Sequence, residues 1–263
     1  MGEFQLTAIQ GENMGNKVES KSKKQIVKEQ RIKRQKRQRL ITLVAIVVVV
    51  LVMVGLLIYQ NIQAANAPLG NIVQITTIAR PQVNFNTTGD PNAPVHMIGF
   101  SDFQCPYCGQ YAKTTEPLII ENYVKTGKVF YEFIPYGPGG MAIGSESVDA
   151  ALAAFCAGDQ GKFWEYHDIL YANQTGENVG DFTINRLNAF AQALGLDMDQ
   201  FKSCMQQKKF QEKYLAGIEQ GKNNNIGGTP SFLINGKLIE GALPYEEFKK
   251  ELDAALEAAG VTP

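Results

Sequence analysis

Residues 40–59 read LITLVAIVVVVLVMVGLLIY, twenty apolar positions without one charge. As a helix this run would measure about 30 Å, the hydrocarbon thickness of a bilayer. Its many β-branched residues weaken a helix in water. In lipid, however, the backbone must satisfy its own hydrogen bonds, and helix is the form open to a single spanning segment. The run also divides the 263-residue chain electrically. Residues 1–39 carry eleven Lys or Arg against four Asp or Glu, whereas residues 60–263 carry fourteen against twenty-two. The first basic residue after the run is Arg80. This asymmetry predicts a basic cytoplasmic head (1–39), a signal-anchor helix (40–59), a short tether (60–70) and an extracytoplasmic body (71–263). The rival reading is a secreted protein cleaved near Ala67, where Ala65-Asn66-Ala67 offers small residues. Cleaved leaders usually have an apolar core of about 7–15 residues behind a short head. The longer run and 39-residue head here favour an anchor.

The acidic body excludes a basic nucleic-acid-binding face. The basic run beside the span is explained by topology and by attraction to anionic lipid. Hydrophobic residues make up 44% of the chain, which excludes wholesale disorder.

Within the body, residues 71–79 alternate well enough for an edge strand, and residues 86–94 (NTTGDPNAP) carry turn chemistry. Residues 95–100 (VHMIGF) and 128–134 (KVFYEFI) read as core strands. A helix is predicted from Pro106 to about Lys125, closed by Gly127. A broken helical stretch follows from about 141 to 224, then a hairpin (231–235 and 237–240) and a closing helix from 243 to 259.

Cys105-Pro106-Tyr107-Cys108 lies where the first core strand ends and a helix begins. At a helix N-terminus the unpaired N–H groups and the dipole favour a thiolate. Pro106 suits the first turn, where its missing N–H costs nothing. Cys105 is therefore the expected exposed nucleophile, and Cys108, one turn in, the buried partner. A zinc knuckle would need a second such pair. Cys156 and Cys204 stand 48 positions apart, and His96 and His167 lack knuckle spacing, so no metal is expected. A structural disulfide at Cys105–Cys108 is the other reading. Strand–CxxC–helix placement favours redox chemistry. Gly227-Gly228-Thr229-Pro230 precedes a strand, and a proline there marks a special turn, a cis bond included.

Three segments carry a resemblance: FSDFQCPYC (100–108), GKFWEYHD (161–168) and GTPSF (228–232). They resemble the DsbA-like family of thioredoxin-fold thiol oxidoreductases, most closely its membrane-anchored, Gram-positive-type branch. The resemblance covers about residues 70–260. It implies an α/β thioredoxin fold with an inserted helical domain at about 140–225. Pro230 would be cis, facing the cysteine pair, and Thr229 would offer backbone groups to an extended substrate. It implies an enzyme that introduces disulfides into exported proteins without an organic cofactor. A quinone-linked membrane partner, DsbB-like or vitamin K epoxide reductase-like, would reoxidise it, and the protein would act as a monomer. A reductase or isomerase of the same fold and a non-catalytic binding or chaperone module are the alternatives.

One position departs from the family. A buried glutamate commonly stands six residues before the first active-site cysteine, and here that residue is Gly99. Asp102 or Glu132 are the candidates to replace it, although Asp102 reads as an ordinary loop acid. Tyr107, between the cysteines, supplies no positive charge, which predicts a weaker oxidant than a Cys-Pro-His-Cys pair. His167 and His96 are read as packing residues. Cys156 and Cys204, both in the insertion, are expected to pair, since an even cysteine count in an oxidising compartment favours it.

Overall fold

The computed structural model describes residues 23–65, 70–75 and 77–263, which fall into two units, Met1–Asn61 and Ile62–Pro263. The described residues of the first unit form the helix α1 (Lys23–Ala65), whose last four residues count with the second. Its stretch Ile26–Leu56 is long and apolar enough to cross a membrane, and none of it is buried by protein. Leu40, Ile46, Val50 and Leu56 are all exposed, the opposite of a core helix. Residues 60–65, read from sequence as tether, continue this helix. The residues around the Ala67 cleavage motif and the first 22 residues lie outside the described residues.

The second unit is built on a five-stranded sheet in the order β1–β3–β2–β4–β5. Its strands are β1 (Thr87–Thr88), β2 (Val95–Ser101), β3 (Val129–Pro135), β4 (Ser231–Ile234) and β5 (Lys237–Glu240). β2 and β3 pair in parallel, and the other pairs are antiparallel. β2 and β3 are nearly continuous apolar runs because helices cover both faces of the sheet centre. The Asn235-Gly236 turn, with both residues at positive φ, closes the β4–β5 hairpin.

The expected edge strand at 71–79 is not formed among the described residues. Its backbone finds side-chain partners instead. Val73 N–H donates to Asn173 Oδ1 at 2.8 Å, and Asn173 Nδ2 donates back to Val73 O at 3.0 Å. Ile78 N–H donates to Asp168 Oδ2 at 3.2 Å. Side-chain carbonyls and carboxylates thus satisfy groups that a strand ladder would otherwise take. The edge position belongs to β1, inside the segment read as turn.

The helix expected from 106 to 125 is three pieces: α2 (Pro106–Thr114), α3 (Glu116–Ile119) and a π turn over Ile120–Val124. Pro117 lacks the N–H that would have continued the ladder, and α2 stops before it. Five helices separate β3 from β4: α4 (Ser145–Gly158), α5 (Phe163–Ala172), α6 (Ile184–Ala193), α7 (Met198–Gln206) and α8 (Gln211–Asn223). α9 (Tyr245–Ala258) closes the unit. Cys156 on α4 and Cys204 on α7 are joined as a disulfide with Cα atoms 5.9 Å apart. An aromatic core fills the space between sheet and insertion, with Trp164, Tyr131, Phe133, Phe103 and Tyr171 all buried.

Candidate active site

β2 delivers the chain into the segment 102–105, which turns into α2. Asp102 ties that segment together: its carboxylate accepts from Gln104 N–H at 2.8 Å, from Ser147 Oγ at 2.7 Å and from Ile143 N–H at 3.5 Å. Gln174 closes it from α5's C-terminal side, its Nε2 donating to the carbonyls of Phe103 and Cys105, both at 2.8 Å. A Cβ on Gly109 would overlap the Gln174 amide, so the residue after Cys108 must be glycine for this clamp to close. Gln174 carries no motif and was missed by sequence reasoning.

Cys105 is the N-cap of α2 and Pro106 stands in its first turn. The two thiols are free in the structure. Both are buried, which corrects the expectation of an exposed Cys105: at 5% against none it is only the more accessible of the two, because the Thr229–Pro230 segment packs over it. Cys105 Sγ lies 3.4 Å from the carbonyl oxygen of Thr229. The Thr229–Pro230 bond is cis, and β4 brings both residues beside the pair. Tyr107 is 66% exposed, at the rim.

The two cysteines are driven apart electrostatically. Cys105 is pushed down from 9.0 to about 6. The chief cause is a hydrogen bond from the Cys108 thiol; burial opposes it, and backbone groups of Cys108 and Tyr107 and the Thr229 side chain add to it. Cys108 is pushed well above 9.0 by burial and by the neighbouring Cys105 charge, against help from Ser101 and the Asp102 N–H. One sulfur is therefore a nucleophile at neutral pH and the other holds its proton.

The substitutes weighed for the missing acid at Gly99 stand differently. Asp102 is buried beside the pair, but its carboxylate is engaged by three donors. Glu132 alternates with Tyr131 along β3 and so faces the other side of the sheet, beside Asn86, Lys213 and Gln220. The space over Gly99 is held by Tyr131, whose Oη lies 2.8 Å from where a Cβ would stand.

His167 is more than a packing residue. It is buried in an aromatic box of Phe103, Phe133, Trp164 and Tyr171, and its Nδ1 lies 2.9 Å from Asp168 Oδ1. Arg80 reaches the same place, its Nη2 2.7 Å from Glu116 Oε1 and 2.8 Å from Asp168 Oδ1, with the guanidinium stacked 4.5 Å over Trp164. Burial opposes ionisation of Asp168, but hydrogen bonds from His167 and Arg80 outweigh it and hold its carboxyl below the usual carboxylate range. Glu116, His167 and Asp168 cluster closely enough to suggest a cation site. The Arg80 guanidinium already binds both carboxylates and occupies the place a cation would take. His96 is exposed against Phe130, away from this cluster.

Residues 83–254 match the family model described as Thioredoxin. The chain is 31% identical over 172 residues to the "Probable disulfide bond formation protein D" of Bacillus anthracis, covering 64% of this chain and 76% of that protein. It is also 29% identical over 179 residues to "Na(+)/H(+) antiporter NhaA 1" of Salinispora arenicola, covering 66% of this chain. There the chain spans only a quarter of the relative's length. Among solved structures, oxidised BdbD of Bacillus subtilis superposes with a TM-score of 0.61 at 23% identity, over 70% of this chain and all of that one. The alpha-DsbA1 of Wolbachia pipientis gives 0.57 at 24%, over 68% and 94%. At these identities the two structures speak for the fold.

Proposed function

The chain belongs to the thioredoxin family, and we propose that it is a DsbA-like thiol:disulfide oxidoreductase that introduces disulfides into exported proteins from the outer side of a membrane. In this reading α1 spans the bilayer through residues 40–59, the basic residues before it stay in the cytoplasm, and the body that follows is extracytoplasmic. A substrate thiolate attacks Cys105 Sγ of the oxidised pair. The Cys105–Cys108 bond breaks and Cys108 leaves as a thiolate that takes up a proton. A second substrate thiolate then attacks the substrate sulfur of the mixed disulfide and releases the Cys105 thiolate. Two electrons have moved from substrate to protein. A quinone-linked membrane partner, DsbB-like or vitamin K epoxide reductase-like, takes them away, and the protein works as a monomer.

The observation that carries this reading is the asymmetric pair: a Cys105 thiolate favoured near pH 6 beside cis-Pro230, and a buried Cys108 that keeps its proton. Stabilising the departing thiolate stabilises the reduced protein, which makes its disulfide oxidising. Pro106 and Tyr107 shape the rim, and Thr229 and Pro230 present backbone to an extended substrate chain. Tyr107 brings no cation to the thiolate, so the potential is expected at about −140 to −220 mV. The test is oxidation of a reduced, unfolded protein by the oxidised full chain, together with its potential against glutathione. Cys105→Ser should abolish the oxidation. A potential near about −270 mV without substrate oxidation would assign a reductase instead. Protease added to intact cells should digest the body and spare a tag on the basic head.

A further inference from the structure

Cys108 changes protonation state in every turn of such a cycle, yet solvent does not reach it. The groups facing its sulfur are Cys105, the Ser101 hydroxyl, the Asp102 N–H and, within electrostatic reach, the phenols of Tyr131 and Tyr171. In a mixed disulfide Cys105 has no thiolate left to take the Cys108 proton. Burial raises the Asp102 carboxyl, but three donors already occupy it.

Behind Tyr131 lies an unusual collection of atoms. Tyr131 Oη, Tyr111 Oη, Glu116 Oε2 and His167 Nε2 are all buried; the two phenols interact with each other, and none of the four makes a well-formed hydrogen bond to any further group. Native interiors rarely leave polar atoms so, and four in one region point to a role. Tyr131 and Tyr111 face each other, and both lie within electrostatic reach of Glu116. Glu116 Oε1 is taken by Arg80, which leaves Oε2 turned toward His167 Nε2 at 3.5 Å. Beyond His167 a cleft of about 190 Å³, lined by Ile75, Ile78, Lys113, His167, Asp168 and Tyr171, opens to solvent.

We propose that Tyr131 and Glu116 form a buried proton relay serving Cys108, with its outlet at His167. The proposal rests on the oxidoreductase reading. When Cys108 attacks a mixed disulfide on Cys105, its thiol proton passes to Tyr131 Oη as the Tyr131 proton passes to Glu116 Oε2, directly or over one water. The Cys108 thiolate forms the new S–S bond to Cys105. The bond to the partner sulfur breaks, and that sulfur leaves with the electron pair. Glu116 is then the carboxylic acid; it hands the proton to His167 Nε2, and His167 releases one from Nδ1, 2.9 Å from Asp168 Oδ1, toward the cleft that Asp168 lines. In the forward reaction the same atoms return a proton to the Cys108 thiolate. Burial holds all three phenols far above 10, so Tyr131 passes protons on and does not store them. The charged groups around Glu116 are Arg80, His167 and Asp168.

The reduced full chain in detergent, mixed with 5,5′-dithiobis(2-nitrobenzoate), should release thionitrobenzoate in two phases. The first reports attack by Cys105 and the second reports attack by Cys108 on the resulting mixed disulfide. Tyr131→Phe and Glu116→Gln should slow the second phase on the order of 100-fold near neutral pH and leave the first unchanged. The loss should shrink as rising pH ionises Cys108 without help, and Glu116→Asp should recover part of the rate. Should Glu116→Gln fail to fold with Arg80 left to Asp168 alone, Tyr131→Phe decides, because its lost hydroxyl is hydrogen-bonded to no group but the Tyr111 phenol. A second phase within about twofold of wild type in Tyr131→Phe overturns the relay, since a general acid–base contribution is far larger. A wild-type protein that releases only one equivalent would instead sink the oxidoreductase reading.

Discussion

Replacing Cys108 with alanine removes the thiol whose hydrogen bond is the largest of the interactions favouring the Cys105 thiolate. In the reduced native pair Cys105 is pushed down to about 6, against an ordinary 9.0. At pH 7 a thiol of pKa about 6 is about 90% ionised and one near 9 is about 1% ionised. A rate of alkylation would understate that change. Thiolate nucleophilicity rises with basicity with a slope of about 0.4–0.5, so a return over three units would leave only about a fourfold fall in rate. The ultraviolet absorbance of the thiolate, followed against pH, reads the ionisation itself. In Cys108→Ala the Cys105 midpoint should rise toward 9.0 by at least about one unit, equivalent to about 1.4 kcal/mol of lost preference for the charged form. The remaining groups, the backbone at position 108, the Thr229 side chain and the backbone of Tyr107, keep part of the effect. A wild-type midpoint at the free-thiol value, or one that Cys108→Ala leaves in place, would refute the reasoning that Cys108 activates the more accessible Cys105.

The same titration fixes the pH dependence of the potential. Below about 6 both sulfurs take up protons on reduction and the potential should fall by about 59 mV per pH unit; above it only Cys108 does, and the slope should halve to about 30 mV. One steep slope through neutral pH in glutathione equilibration would contradict this. The Cys156–Cys204 bond closes a separation of 48 positions, and Cys156→Ala with Cys204→Ala should cost about 4 kcal/mol, or roughly 10 °C in melting temperature by circular dichroism. A shift of only a degree or two would mean that the bond adds little. Arg80→Met leaves Glu116 and Asp168 buried without their cation and should cost about 3–5 kcal/mol in denaturant unfolding. Because Asp168 is held below its unfolded range, its contribution is present near neutral pH and is lost as pH falls through the acidic range. The wild-type advantage over Arg80→Met should therefore narrow in acid.

The sequence by itself determined the parts of this protein whose physics is local. An uncharged run of twenty apolar residues is helix in lipid whatever surrounds it, and α1 is one unbroken helix. A Cys-Pro-x-Cys placed after a β-run makes its own N-cap and first turn, so the order of exposure at Cys105 and Cys108 could be read from spacing. Asn235-Gly236 between two short apolar runs specifies its hairpin through positive φ alone. The tertiary structure decided what depends on partners far along the chain. Residues 71–79 have the alternation of a strand, yet Asn173 and Asp168, about a hundred positions away, supply the acceptors that hold two of their N–H groups. Gln174 clamps the cysteine loop from α5's end, a role that no spacing rule encodes. Arg80, Glu116, His167 and Asp168 are scattered over eighty-eight positions and meet only when α3 and α5 pack over β3. Alternation along β3 is written in the sequence, but which side of the sheet faces Cys108 is not. That choice places Tyr131 over Gly99 and turns Glu132 away, because packing of helices on both faces, and not any local preference, sets which face meets the buried sulfur.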